Sequence, residues 1–136
     1  MIDGLSVTPL DIIDVTGGNV LHIIKASDKS YSGFGEAYFS SVSKDTIKGW
    51  KKHTQMTLNI VVPIGKIKFV VYDEYKEEFF SVVLSQENYQ RLTIKSGQWL
   101  AFRGVETNNL LLNIASIEHD TDEVKSLGLN KIIYEW

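Results

Sequence analysis

Three histidines and no cysteine set the chemistry open to this chain. Without thiols there is no disulfide, thiolate metal site or cysteine nucleophile, so proton transfer falls to His22, His53, His119 and the carboxylates. Histidine titrates near neutral pH, which suits it to acid and base work. His53 closes Lys48-Gly-Trp-Lys-Lys-His53 and His119 opens His119-Asp-Thr-Asp-Glu123, so both stand among polar residues of the kind that line pockets. His22 sits within Val20-Leu-His-Ile-Ile-Lys25 among apolar neighbours and reads as a structural histidine.

Metal chemistry is disfavoured by the same residues. Many β-barrel metal centres use two histidines one residue apart, and here Lys51 stands two residues before His53, where its ammonium would oppose a divalent ion. No metal and no other cofactor is expected. Lys48, Lys51, Lys52, Lys66, Lys68 and Arg103 gather in or near this segment. They suit anion binding, lysines as point charges and arginine as a bidentate fork, or else a solvated strand face. Trp50, Tyr72 and Trp99 can stack on a base or sugar ring, or fill a core.

These residues need a scaffold, and the chain supplies one. Its 136 residues, 43% hydrophobic, suffice for one buried core and are too few for two ordinary domains, so 1–136 is expected to form a single domain. The net charge of −3 argues against nucleic acid as a partner. No apolar run reaches the roughly 18 residues of a membrane span, and Asp3 and Asp11 replace the basic start of a signal peptide. A soluble, unprocessed cytoplasmic protein is expected.

Period-two alternation dominates the chain. Leu5 to Ile13 suits an edge segment because Pro9 removes a ladder donor. Thr16-Gly-Gly-Asn19 is a turn, and Val20 to Lys25 is expected as a short strand. Phe34 to Val42 alternates, with Glu36, Tyr38 and Ser40 on one face. Thr46 to Lys52 is extended. Met56 to Val62 and Ile67 to Tyr72, joined at Pro63-Ile-Gly65, are expected to pair as a central hairpin. Glu77 to Leu84, Leu92 to Ile94, Trp99 to Arg103 and Leu110 to Ile117 follow as strands, and Ile132 to Trp136 as a closing one. Thr121 is a plausible N-cap with acidic residues behind it, so a short helix is expected up to Gly128. Roughly nine to eleven short strands, with at most one or two short helices, make an all-β jelly roll.

The order of motifs resembles the dTDP-4-dehydrorhamnose 3,5-epimerases and their relatives, the dTDP-sugar 3,4-ketoisomerases. Ser32-Gly-Phe-Gly-Glu-Ala-Tyr38 is similar to the family's Arg-Gly-x-Phe-x-Glu strand, and Lys48-Gly-Trp-Lys-Lys-His53 to its Arg-Gly-x-His segment. Leu92-Thr-Ile-Lys-Ser-Gly-Gln-Trp-Leu-Ala-Phe102 is similar to its Ile-Pro-x-Gly-x-x-His-x-Phe strand. His119-Asp-Thr-Asp-Glu123 takes the place of its Tyr-Tyr-x-Pro-Glu, and Ile132-Ile-Tyr-Glu-Trp136 resembles its closing Ile-x-Trp. The departures fall on chemistry. The epimerase base histidine matches Lys51, the second histidine matches Leu100, the tyrosine region matches His119 and Asp120, and the aspartate that orients the base matches Asn130. His53 matches the second histidine of the ketoisomerases' His-x-His.

The resemblance implies a cupin-type jelly roll, a double-stranded β-helix, that abstracts a proton next to the keto group of a dTDP-4-keto-deoxysugar. His53, Lys51 and His119 are then the catalytic candidates, and Lys48, Trp50, Tyr38, Glu36, Tyr72 and Arg103 the substrate-binding ones. A homodimer follows from the family's habit of strand exchange and the apolar edge at Leu5 to Ile13. The alternative is a nucleotide-sugar or carbohydrate-binding module without catalysis. What separates the two is whether His53, Lys51 and His119 converge on one cavity.

Overall fold

Residues 2–136 of the computed structural model are described, and they form twelve β-strands with no helix among them. In chain order these are β1 (Leu5–Pro9), β2 (Ile12–Ile13), β3 (Val20–Leu21), β4 (Glu36–Ser41), β5 (Ile47–His53) and β6 (Leu58–Ile64). There follow β7 (Lys66–Asp73), β8 (Glu78–Ser85), β9 (Gln90–Ile94), β10 (Trp99–Gly104), β11 (Leu110–Ala115) and β12 (Val124–Ser126). Two five-stranded antiparallel sheets face each other, one ordered β1-β9-β6-β11-β4 and the other β12-β5-β10-β7-β8. β2 and β3 form a separate two-stranded sheet joined at Thr16–Asn19, where the Asn19 side chain accepts the Val15 N–H at 3.2 Å. The arrangement is the expected all-β jelly roll.

Alternation explains the layers. Leu58, Ile60 and Val62 of β6 and Ile67, Phe69 and Val71 of β7 point between the sheets and pack with Leu92, Ile94 and Leu111. A second apolar cluster covers the outer face of the β5-β10-β7 sheet, where Trp50, Val70, Trp99 and Ala101 lie under Ile132, Tyr134 and Trp136. β7 is therefore buried on both faces, and its Phe69-Val-Val71 run reads as continuously apolar.

The expected central hairpin is corrected here. β6 and β7 do not pair: β6 lies between β9 and β11, and β7 lies between β10 and β8 in the opposite sheet. The chain crosses from one layer to the other at Pro63-Ile-Gly65. Gly65 is required there, with φ of 77° and a position where a Cβ would lie 2.1 Å from the Asn108 carbonyl oxygen. Alternation states which residues face the core but not which strand lies alongside, so both topologies give one pattern. The hairpin is β7–β8, turned at Asp73, whose carboxylate accepts the N–H groups of Tyr75 and Lys76.

Three further expectations are corrected. The segment from Thr121 to Gly128 is not helical: Asp120 accepts the Asp122 N–H at 2.9 Å to close a turn, and β12 then pairs with the free edge of β5. The acidic cap signal is real but serves a turn, because an open strand edge offers the following residues a better partner. Ile132 to Trp136 is irregular, held by its aromatic side chains and by Trp50, whose Nε1–H donates to the Ile132 carbonyl at 3.2 Å. Of Val20 to Lys25 only Val20–Leu21 is strand.

Candidate functional site

A cavity of about 270 Å³ opens between the two sheets on the side away from β1 and β8. One wall is β5, carrying Gly49, Lys51 and His53; the facing wall comes from β4 and β11, with Tyr38, Ser40 and Asn113. Leu58, Ile60, Leu100, Phe102 and Leu111 form an apolar floor. Two residues along a strand keep one face, which sets Lys51 beside His53 and turns Trp50 and Lys52 the other way. Lys48 joins the cavity although its number is even. β5 carries one residue more than β10 between the pairs Leu100↔Lys51 and Phe102↔Lys48, and that bulge restores Lys48 to the cavity side. Lys48 Nζ donates to the Ser41 carbonyl at 2.7 Å.

His53 is held by a carboxylate. Its Nδ1 lies 2.5 Å from Glu123 Oε1, and the Glu123 side chain is only 1% exposed. The other carboxylate oxygen accepts the backbone N–H groups of Gln55 and Met56, each at 3.1 Å. Burial pushes the Glu123 carboxyl up, but the His53 hydrogen bond and the two N–H groups outweigh it and hold it below the usual carboxylate range. An ionised Glu123 accepts the proton on His53 Nδ1, which leaves Nε2 as the nitrogen free to take another. β12 makes this possible, since pairing Val124 with His53 brings the residue just before Val124 against the imidazole. On the opposite wall Asn113 Nδ2 donates to the Tyr38 hydroxyl oxygen at 3.0 Å.

Of the residues expected in a site, His53, Lys51, Lys48 and Tyr38 meet at this cavity. The others do not. His119 is exposed in the turn after β11. Trp50 is fully buried beneath the outer cluster because it alternates with Lys51. Tyr72 is on that outer face too and stacks on Phe79 with ring centroids 4.5 Å apart. Arg103 alternates with Phe102 and turns outward to Asp45 at 2.7 Å. Glu36 shares the face of Tyr38 but lies at the start of β4, opposite Ala115 and outside the cavity lining. Asn130 lies in an exposed turn, and it is Glu123 that holds His53. Glu123 and Asn113 are the residues that sequence reasoning missed. Their signal was faint: one polar residue in the apolar Leu110 to Ile114 run, and one acidic residue directly before Val124. Among the described residues no group of three or more His, Asp or Glu side chains is placed to hold a metal ion.

No protein-family model and no curated protein sequence matches the chain. Solved structures do. A dTDP sugar isomerase from Desulfovibrio desulfuricans is 31% identical, with a TM-score of 0.93 over 99% of this chain and 92% of that one. A dTDP-6-deoxy-D-glucose-3,5-epimerase from Legionella pneumophila, in complex with dTDP-4-keto-L-rhamnose, is 17% identical, with a TM-score of 0.86 over 99% of this chain and 79% of that one. A mutant 3,4-ketoisomerase from Thermoanaerobacterium thermosaccharolyticum, in complex with TDP-4-keto-6-deoxyglucose, is 18% identical, with a TM-score of 0.80 over 92% and 88%. The last two share the fold.

Proposed function

The chain belongs to the dTDP-sugar isomerases and epimerases built on the cupin jelly roll, and from that premise we propose that it moves a proton next to the keto group of a dTDP-4-keto-deoxysugar. The observation that carries this is the His53–Glu123 pair opening on the cavity between the sheets. A base must reach the proton it removes, and His53 is fixed with Nδ1 on a carboxylate and its other nitrogen available. Nε2 takes the C–H proton, the electron pair moves to the keto oxygen, and an enolate results. Lys51, on the same face and exposed, lacks the burial that turns a lysine into a base, and instead offers its ammonium to the enolate oxygen. Where the deprotonated carbon carries a hydroxyl, passage of that hydroxyl's proton to the enolate oxygen and return of the abstracted proton to the former carbonyl carbon shift the carbonyl. Return of a proton to the deprotonated carbon from the opposite side inverts that carbon, with Tyr38 as the group on that side. Lys48 at the rim meets the diphosphate as a point charge.

The same reading makes the protein cytoplasmic, in keeping with a cysteine-free chain and a nucleotide-sugar substrate, and homodimeric. The exposed Ile13 and Val20 of the two-stranded sheet, with Val15 of its connection, support association of two copies of a single 1–136 domain. No helix among the described residues is long and apolar enough to cross a membrane.

The test is exchange in heavy water. A dTDP-4-keto-6-deoxyhexose incubated with the protein gains deuterium at a carbon next to the keto group, and the labelled position together with the product's stereochemistry separates carbonyl shift from inversion. Failure of every such sugar to take up label, with the cavity shown intact by dTDP binding, favours a module that binds without catalysis.

A further inference from the structure

A second polar groove lies on the other side of the β1-β9-β6-β11-β4 sheet, away from the cavity. β9 sends Leu92 and Ile94 into the core, so Arg91 and Thr93 face outward, with Lys95 continuing the row. β1 adds Ser6 and Thr8, paired in register with Thr93 and Arg91. The segment carrying Asp28, Lys29 and Ser30 completes a groove of about 510 Å³. Three cations, Lys29, Arg91 and Lys95, stand there against one carboxylate, Asp28, in a chain whose net charge is −3.

Arg91 makes this more than a basic patch. The residue is 2% exposed, deeper than arginine usually lies. Its Nη1 donates to the Ile23 carbonyl at 2.7 Å and to Asp28 at 3.3 Å, and its Nη2 donates to the Ser30 hydroxyl at 2.6 Å. Its Nε–H has no acceptor among the described residues. Nε is itself buried, so what the guanidinium presents to the groove is its charge from just beneath, met by Asp28 alone, and an oxygen anion in the groove balances it. The hydroxyls are poised for the same ligand. Ser30 accepts from Arg91 and so keeps its own proton to donate, and Ser6 and Thr8 line the groove as further donors, whereas the Thr93 proton is committed to Asn59 Oδ1 at 2.6 Å.

We propose that this groove is a second anion site, for a phosphate or diphosphate group, separate from the cavity that holds His53. It does not depend on the reaction assigned to that cavity, since binding is read without any sugar substrate. The experiment is a titration of the intact protein with inorganic phosphate and with diphosphate, followed in amide and arginine Nε–H nuclear magnetic resonance spectra. Saturable shifts are expected at Ser6, Thr8, Ser30 and the Arg91 Nε–H, and they persist in Lys48→Ala/Lys51→Ala, which removes both cations of the cavity. Lys29→Ala/Lys95→Ala, which removes only exposed ammonium groups, weakens that binding by about tenfold. Shifts confined to the surroundings of Lys48 and Lys51, shifts that never saturate, loss of the groove shifts in Lys48→Ala/Lys51→Ala, or unchanged affinity in Lys29→Ala/Lys95→Ala would each overturn the proposal.

Discussion

The two faces of β5 differ more than neighbouring residues usually do. Lining the cavity are Gly49, Lys51 and His53, two of them polar and the first without a side chain. Facing outward are Trp50, fully buried, and Lys52, which pairs with Glu74 and lies 5.1 Å over the Trp99 ring. One face is left open and holds a titratable pair; the other is closed by the final ten residues and holds the strand. Gly49 shows how close the two roles come. A Cβ there would fall 2.2 Å from Leu129 Cδ2, so the C-terminal segment packs down onto the strand at that point only because the position has no side chain. A binding wall can be sparsely packed when the reverse of the same strand is anchored by aromatics.

The largest expected break on the open face is His53→Ala. Loss of the proposed base lowers the rate of deuterium uptake by about 10²–10⁴-fold while circular dichroism stays unchanged. Uptake at the normal rate would remove His53 from the mechanism. On the closed face Trp50→Ala costs about 3–5 kcal/mol of stability in urea unfolding, from lost burial and the cavity left under Ile132. A cost within 0.5 kcal/mol would show that the outer cluster anchors nothing.

Glu123→Gln sharpens the contrast between acting and positioning. The amide keeps the shape but cannot hold His53 in one tautomer, so the rate falls by about 10–100-fold, with a changed pH profile. An unaltered profile would make Glu123 purely structural. Acid should disturb the same residue. Because the Glu123 carboxyl lies below its ordinary value when folded, its contribution is fully present above the unfolded value of about 4.3 and is lost as pH falls through the lowered one. Glu74, lowered by Lys52 and by the Trp99 N–H, follows the same sign. Urea midpoints measured between pH 7 and pH 3 should therefore fall on the acid side, and in Glu123→Gln the fall should be shallower. The smallest effect belongs to His119→Ala, which touches neither face and should change rate and stability by no more than about 0.5 kcal/mol.

How much of this the sequence made legible follows from what a period of two can encode. It marked β4 to β11, and it set His53 and Lys51 on one face, because alternation is a local property. Trp50 was misassigned despite the same rule, since lying next to catalytic candidates suggested contact where parity excludes it. Pairing is not local. Nothing in β6 or β7 says that they sit in opposite layers, and the sign at Gly65 becomes clear only when Asn108 stands beside it. Glu123 was hidden for the same reason. Its acidic neighbours look like the start of a helix, and only the free edge of β5 makes them a turn leading into a strand. The resemblance in motif order did carry the family, because an order of motifs survives substitutions at single positions within them.

The partnership of His53 with Glu123 spans 70 residues of chain, and this bears on how the protein comes into being. Contacts so far apart form after local ones, because the loop between them must be closed before it is rewarded. As the chain leaves the ribosome, the histidine emerges early and remains without its carboxylate until most of the remaining strands have been made. The wall of the cavity can thus be assembled well before the imidazole is set, and His53 meets its carboxylate only when the three-residue strand β12 docks.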